Sequence, residues 1–86
     1  KVKLYLVYGI TDCPACLKTQ AELMDRGMEY VFINSDFSKS YRDAIREEFG
    51  WPTFPIIIEV SEKQESLIGG YDELMISMNS IDPSPT

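Results

Sequence analysis

Residues 3–17, with the sequence KLYLVYGITDCPACL, run from an apolar segment directly into a pair of cysteines. Residues 3–8 are nearly continuous in apolar side chains, which is typical of a short strand buried on both faces. Residues 9–12 interrupt this run. Pro14 then suits the first turn of a helix, where its missing N–H costs no hydrogen bond. The stretch therefore predicts a strand that turns into a helix, with Cys13 and Cys16 at the turn.

The rest of the chain alternates between helical and strand patterns. In the first helix, apolar side chains recur at steps of four, three and four residues, which predicts a buried stripe of Leu17, Ala21, Met24 and Met28. A second helical stripe covers residues 41–49 and stops at Gly50. Three further strands are predicted at residues 30–33, 56–60 and 66–68, with a hairpin loop at 61–65 and a last helix that begins near Asp72.

The predicted element order is β-α-β-α-β-β-α. A strand–helix–strand start requires a right-handed crossover and parallel pairing, whereas the closing hairpin must be antiparallel. The sequence therefore predicts an α/β fold, a mixed four-stranded sheet flanked by three helices. We expect one domain over residues 1–80, followed by a disordered tail at residues 81–86, which is rich in proline, serine and threonine.

The composition argues against several classes of function. The 86 residues include 14 acidic and 8 basic side chains, a net charge of −6, whereas nucleic acids and anionic membrane surfaces select basic proteins. There is no histidine, and two cysteines are too few for a closed structural zinc site. No apolar run approaches the ~20 residues that span a bilayer, and no signal peptide is visible. We therefore expect a cytoplasmic, monomeric protein.

The spacing of the two cysteines favours redox chemistry over a structural role. A bridge between Cys13 and Cys16 closes a very short loop and constrains the unfolded chain only weakly. A helix N-terminus presents unpaired N–H groups, so we expect the pKa of Cys13 to fall below the free value of ~8.5. Cys13 is then the attacking thiol and Cys16 the resolving one. A zinc site with this spacing would need a second cysteine pair, which the chain does not have, and a haem attachment site would need a histidine where Leu17 stands. Two incidental buried cysteines remain the alternative.

Three blocks of the sequence together resemble the glutaredoxin family. They are Cys13-Pro-Ala-Cys16, Trp51-Pro-Thr-Phe-Pro55 and Gly69-Gly70-Tyr-Asp72, and their order and separations fit the family over nearly the whole chain. The resemblance implies a thioredoxin-like fold in its minimal, glutaredoxin form. It also implies thiol–disulfide oxidoreductase activity with glutathione as cosubstrate.

The resemblance places one half of a glutathione site beside Cys13, which would form a mixed disulfide with glutathione. Phe54 would precede a cis proline, Pro55, and would offer its backbone to the cysteinyl part of glutathione, with Thr53 flanking this contact. A proline at a strand entrance does leave backbone groups open to a peptide. Taken alone, Pro55 could equally be a trans proline that starts an edge strand.

The other half of the implied site is the turn that follows Gly70. The N–H groups of Tyr71 and Asp72 would bind the γ-glutamyl carboxylate, and the Asp72 carboxylate would bind the ammonium group. Tyr8 and Lys18 are candidates for lining the same groove. Taken alone, the two glycines could form a plain turn with Asp72 as a helix cap.

Three positions bear on which branch of the family the chain resembles. Ile10 stands where many glutaredoxins carry a lysine, three residues before the first cysteine, and Lys18 is a weak substitute for it. Ala15 stands where dithiol members commonly have tyrosine. Trp51, for which core packing is the favoured role, begins a block that looks more like the single-cysteine branch, which handles iron–sulfur clusters.

The leading hypothesis is a glutathione-dependent enzyme that reduces protein disulfides or glutathione mixed disulfides. A second hypothesis is a glutathione-assisted module for binding and transferring a 2Fe-2S cluster, bridged by Cys13 of two chains. A third keeps the fold but takes electrons from a flavin reductase, as thioredoxins do. Disulfide-containing proteins are the expected partners, and no other metal site is predicted.

Overall fold

The computed structural model describes residues 3–80, so the predicted tail at residues 81–86 lies outside the described residues. Its elements follow the predicted order: β1 (Leu4–Gly9), α1 (Pro14–Asp25), β2 (Glu29–Asn34), α2 (Lys39–Phe49), β3 (Ile56–Ser61), β4 (Gln64–Gly69) and α3 (Tyr71–Ser80). Over this part of the chain, none of the helices has the length and apolar character needed to cross a membrane. The predicted α/β architecture is thus confirmed.

The strand order β2-β1-β3-β4 places β1 inside the sheet. β1 pairs in parallel with β2, as the crossover rule predicts, and antiparallel with β3; β3 and β4 form the expected antiparallel hairpin. In the β1–β3 ladder Tyr8 lies opposite Ile56. The loop that leaves β1 towards Cys13 and the loop that enters β3 from Pro55 therefore meet at one edge of the sheet.

Two apolar clusters cover the two faces of the sheet. On the face of α1 and α3 the buried side chains are Tyr5, Val7, Leu23, Ile57 and Leu74. On the face of α2 they are Ile45, Ile56 and Ile58, with half-buried residues such as Leu6 packed around them. β1 was predicted to be buried on both faces; its residues in fact alternate between fully and half-buried. Both faces of this central strand are covered, the α1 side more completely.

The buried face of α1 differs from the prediction. The helix buries Cys16, Thr19 and Leu23, while Leu17 and Met24 are 65% and 64% exposed and Ala21 is also exposed. The second cysteine, Cys16, therefore lies on the same buried face of the helix as Thr19 and Leu23. Thr19 can follow it into the core because its hydroxyl donates to the Ala15 carbonyl at 2.8 Å. Met28 lies after the helix and packs against the core as expected.

Two elements begin earlier in the sequence than predicted. β4 begins at Gln64 rather than at residue 66, so the hairpin loop is tighter than expected, and α3 begins at Tyr71. Gly50 adopts the left-handed conformation, φ 64°, and ends α2 as predicted.

Candidate active site

The two cysteines form a disulfide at the amino end of α1, with Cα atoms 5.2 Å apart. Cys13 is the N-cap residue of the helix, and its Sγ accepts a hydrogen bond from the Cys16 N–H at 3.1 Å. Cys13 is 9% exposed and Cys16 only 1%. Helix N-termini stabilise negative charge, so this geometry favours a thiolate on Cys13 once the disulfide is reduced.

The loop before Cys13 is tied to the start of α2. The Thr11 N–H donates to the Asp36 carboxylate at 3.3 Å, and Arg42 donates to the other carboxylate oxygen at 2.9 Å. Hydrogen bonds from Thr11, with a further contribution from Arg42, hold the pKa of Asp36 below its usual value. Asp12 adopts a left-handed conformation, φ 54°, which aspartate tolerates better than most residues. The active-site turn is therefore held by a hydrogen bond to Asp36, whose carboxylate is in turn paired with Arg42 of α2.

The loop that enters β3 lies directly against the disulfide. The Phe54–Pro55 peptide bond is cis, as the resemblance implies, and Pro55 is buried. The Phe54 carbonyl oxygen lies 4.0 Å from the Cys13 Sγ. The Arg46 guanidinium lies over the Phe54 ring, 5.5 Å from its centroid, so α2 packs on the outer side of this loop. A peptide bound along residue 54 would thus present its own sulfur to Cys13.

A groove of about 400 Å³ runs from this loop to the amino end of α3. It brings together residues 53–55 and 70–72 of the predicted glutathione site, whereas Cys13, the remaining predicted residue, does not line it. Its lining residues are Ala15, Lys18, Trp51, Thr53, Phe54, Pro55, Gly70, Tyr71, Asp72 and Glu73. The Lys18 ammonium lies over the Tyr71 ring, 5.8 Å from its centroid. Tyr8 does not line the groove; it packs against Phe49, with ring centroids 5.4 Å apart.

Glu73 closes the amino end of α3. Its carboxylate accepts the Gly70 N–H at 3.0 Å, the pairing expected when a glutamate lies three residues after an N-cap. Gly69 has φ 121°, and a Cβ there would lie 3.0 Å from both Glu73 and Trp51 atoms. The two glycines thus let the Glu73 side chain and the Trp51 ring pack over the turn.

Trp51 contributes both to the core and to the lining of the groove. It packs against the α2-side cluster, as its favoured role predicted, and it also lines the groove. Its indole N–H is buried and has no hydrogen-bond partner among residues 3–80. Because it is the only tryptophan in the sequence, its fluorescence is a specific probe of this groove.

In a comparison with protein families, the glutaredoxin family model matches residues 3–63. The chain belongs to the glutaredoxin family. With the Cys13–Cys16 pair placed at a helix N-terminus, this membership makes the protein a thiol–disulfide oxidoreductase. No curated protein matches the chain significantly in sequence.

Solved structures show the same glutaredoxin fold. Glutaredoxin 1 from Francisella tularensis, complexed with cacodylate, superposes with a TM-score of 0.75 at 18% identity, covering 93% of this chain and 96% of that one. The glutaredoxin-like NrdH-redoxin from Escherichia coli gives 0.63 at 24%, covering 95% and 99%. A buckwheat glutaredoxin–glutathione complex gives 0.72 at 22%, covering 88% and 68%. At these identities the likeness is one of fold.

Three groups at this glutaredoxin site were missed or undervalued in the sequence. The capping spacing between Gly70 and Glu73 is a readable signal for the role of Glu73. Core packing was the favoured role of Trp51, and its place in the lining of the groove was not predicted. The link from Thr11 to Asp36 joins residues 25 apart in sequence, and no local pattern predicts it.

Proposed function

We propose that this protein is a glutathione-linked oxidoreductase that reduces protein disulfides and glutathione mixed disulfides. The observation that carries the proposal is the groove, because residues 53–55 and 70–72 line a single cavity beside the disulfide. The first set offers backbone groups to a cysteinyl residue, and the second offers helix N–H groups and a carboxylate to an α-amino acid end. A tripeptide with a free α-amino acid end suits both.

The reaction we propose proceeds by thiol–disulfide exchange. The Cys13 thiolate attacks one sulfur of a substrate disulfide, forms a mixed disulfide and releases one substrate thiolate. The Cys16 thiolate then attacks the Cys13 Sγ, releases the second substrate thiolate and leaves the Cys13–Cys16 disulfide. One glutathione thiolate attacks the Cys13 Sγ and frees Cys16. A second attacks the bound glutathione sulfur, which frees Cys13 and yields glutathione disulfide.

The charges around the groove assign roles to its two ends. Asp72 is exposed at the first turn of α3, where its carboxylate can bind an ammonium group while the helix N–H groups bind a carboxylate. Lys18 is the cation that lines the groove on the α1 side. It can attract the second carboxylate of glutathione in place of the lysine that Ile10 replaces.

The decisive test compares the same charge removal at two neighbouring positions. Asp72→Asn removes the proposed ammonium ligand, and we expect KM for glutathione to rise about tenfold with little change in kcat. Glu73→Gln is the matched control, because the amide oxygen can still accept the Gly70 N–H. A KM for glutathione that does not rise in Asp72→Asn, or that rises equally in Glu73→Gln, would contradict an ammonium contact at Asp72. Quenching of Trp51 fluorescence by glutathione provides an independent binding measurement.

A thioredoxin-like reductant served by a flavin reductase is the second candidate. The Ile10 side chain and the Glu73 carboxylate favour it, since both reduce the attraction of the site for anionic glutathione. The Escherichia coli NrdH-redoxin, itself a glutaredoxin-like protein, has a thioredoxin-like activity profile. Parallel disulfide-reduction assays discriminate: turnover with NADPH and a flavin disulfide reductase, but none with glutathione, would favour this candidate.

The 2Fe-2S hypothesis depends on a second chain and on glutathione, because each chain supplies a single cluster ligand, Cys13. Among residues 3–80 no cluster of three or more metal-ligating side chains occurs. Cys13 is largely buried against Cys16 and Phe54, so the residues present do not form a ready ligand set. Anaerobic reconstitution with iron, sulfide and glutathione tests the hypothesis. Visible cluster bands together with a dimer would support it.

A further inference from the structure

A second cavity, of about 330 Å³, lies on the other side of the disulfide. The glutathione groove opens towards β3 and α3, whereas this cavity lies between the loop after β1, the first turn of α1 and β2. Both Cys13 and Cys16 line it, together with the apolar side chains of Ile10, Leu17 and Phe32. Its remaining lining residues are polar: Thr11, Asp12, Gln20 and Asn34. Its volume is near the lower limit for a small-molecule pocket and suits one or two side chains of a peptide.

The cavity continues into an exposed apolar face of α1. Leu17, Ala21 and Met24 follow one another at helical spacing over ~10 Å of the helix and face solvent. We call these three residues the α1 stripe. Leu17 belongs to both the cavity and the stripe, and it is 65% exposed. A connected apolar surface at a reaction centre indicates a site of interaction.

We propose that the second cavity and the α1 stripe dock the protein substrate, and that they select a disulfide whose cysteine has a large apolar neighbour in sequence. This inference rests on the dithiol chemistry of the proposed function and not on its use of glutathione. A disulfide attacked by Cys13 must approach the sulfurs that line the cavity, so the residues next to the substrate cysteine are brought to Ile10 and Leu17. The stripe then extends the contact along the substrate chain.

The docking step precedes a balanced exchange. The Cys13 thiolate attacks a peptide sulfur and releases one peptide thiolate, and Cys16 then displaces the second peptide and closes the Cys13–Cys16 disulfide. Two electrons pass from the protein dithiol to the peptide disulfide, and the two protons end on the peptide thiols. Neither glutathione nor another reductant takes part in this half-reaction.

The test measures how fast the reduced protein, freed of reductant, is oxidised by two symmetrical peptide disulfides. The peptides are Gly-Phe-Cys-Phe-Gly and Gly-Ser-Cys-Ser-Gly, both with blocked termini, so that they differ in apolar area and not in charge. Rapid quenching with a thiol-alkylating reagent and mass spectrometry count the free cysteines over time. We expect the phenylalanine peptide to react about tenfold faster, as partial burial of an aromatic side chain allows.

Two variants separate the α1 stripe from general hydrophobicity. Leu17→Gln removes apolar surface without adding charge near Cys13, and we expect the preference to fall to about threefold or less. Ile76→Gln is the matched control, because Ile76 is 67% exposed, on α3, and does not line the cavity. It should keep the full preference. Thermal unfolding of both variants checks that they remain folded.

The outcomes are distinguishable. Equal rates for the two peptides, or an undiminished preference in Leu17→Gln, would overturn the docking proposal and leave the proposed function standing. A reduced protein that reacts with neither peptide would overturn both. Sedimentation provides the last check: a wild-type dimer that Leu17→Gln dissociates would assign the α1 stripe to a second copy of the chain and overturn substrate docking.

Discussion

The two sulfurs of the disulfide have different surroundings, and their variants should therefore behave differently. Cys13 is the N-cap residue of α1 and is 9% exposed, whereas Cys16 lies in the first turn of the helix and is 1% exposed. We expect Cys13→Ser to lose at least about a thousandfold in disulfide reduction, because a serine hydroxyl does not ionise near neutral pH and cannot replace the thiolate. The measurement is the initial rate of a glutathione-coupled assay, with the variant's thermal unfolding as the folding control.

Cys16→Ser should separate two kinds of substrate. Reduction of a glutathione mixed disulfide needs Cys13 and a second glutathione molecule, so this variant should keep most of that rate. Reduction of an intramolecular protein disulfide uses Cys16 to release the trapped substrate, so that rate should fall and a mixed disulfide should accumulate on Cys13. Equal losses on both substrates would contradict a resolving role for Cys16.

Gly9, the last residue of β1, has no room for a side chain between Phe32 and the Cys16 sulfur. A Cβ at this position would lie 2.5 and 2.7 Å from carbons of the Phe32 ring and 3.0 Å from the Cys16 Sγ. We expect Gly9→Ala to lower the free energy of unfolding by roughly 1–3 kcal/mol, the cost of overpacking a core. Urea unfolding measures it as a lower midpoint with an unchanged m-value.

A double-mutant cycle identifies the cause of that loss. In a Phe32→Leu background the ring is gone, and the same Gly9→Ala change should cost clearly less. The same cost in both backgrounds would mean that Phe32 is not the group that excludes a side chain at Gly9.

At the scale of elements, Asp36 joins the active-site loop to α2 through Thr11 on one side and Arg42 on the other. We expect Asp36→Asn to loosen the loop before Cys13 and to speed hydrogen exchange of the Thr11 amide several-fold, because an amide pairs less strongly with Arg42 than a carboxylate does. Asp43→Asn is the matched control, because Asp43 pairs with Lys39 and Arg46, which both belong to α2 itself. Equal effects in both variants would contradict the link.

The same carboxylate predicts how stability depends on pH. The pKa of Asp36 is lowered in the folded state, so its contribution to stability is fully present above the unfolded value of about 3.8. It is lost as pH falls through the lower, folded value. The difference in Tm between wild type and Asp36→Asn should therefore shrink as pH falls below about 4. A difference that stays constant from about pH 6 to about pH 3 would show that the charge on Asp36 does not carry the effect.

How far the sequence alone specifies each element depends on whether the deciding contact is local. Pro14 and Gly50 correctly mark where a helix starts and another stops, because the chemistry of a helix end is local. The buried face of α1 was wrong, because apolar periodicity counts Thr19 as a surface residue and Met24 as core. The structure reverses both, since an internal hydrogen bond satisfies Thr19 while Leu23 supplies the apolar contact.

The candidate site shows the same division. The cysteine pair and the glycine turn could be recognised as motifs, and the groove that joins them required the β1–β3 pairing that brings distant loops together. The second cavity was not foreseen. It depends on Phe32 of β2 and on the rotation of α1, which only the packed structure fixes.

Across the whole molecule, the net charge of −6 should control how fast charged disulfides reach Cys13. Like charges slow diffusional encounter and opposite charges speed it, and added salt screens both effects over ~10 Å at 0.1 M. Local groups could modify this field. Asp72 and Glu73 add negative charge at the groove, and Lys18 opposes them.

Three small disulfides with different charges test this field. We expect the rate at which glutathione disulfide, an anion, oxidises the reduced protein to rise several-fold as NaCl increases from low to physiological concentrations and above. The rate with cystamine, a dication, should fall over the same range, and the neutral 2-hydroxyethyl disulfide should change little and serve as the control for effects of salt on the chemistry itself. Stopped-flow measurement of all three at one pH gives the slopes directly. A rate with glutathione disulfide that falls with salt would mean that Lys18, a cation lining the groove, outweighs the charge of the whole molecule, and Lys18→Gln should then reverse the slope. A rate with glutathione disulfide that does not change with salt would mean that electrostatic steering plays no part in the approach to Cys13.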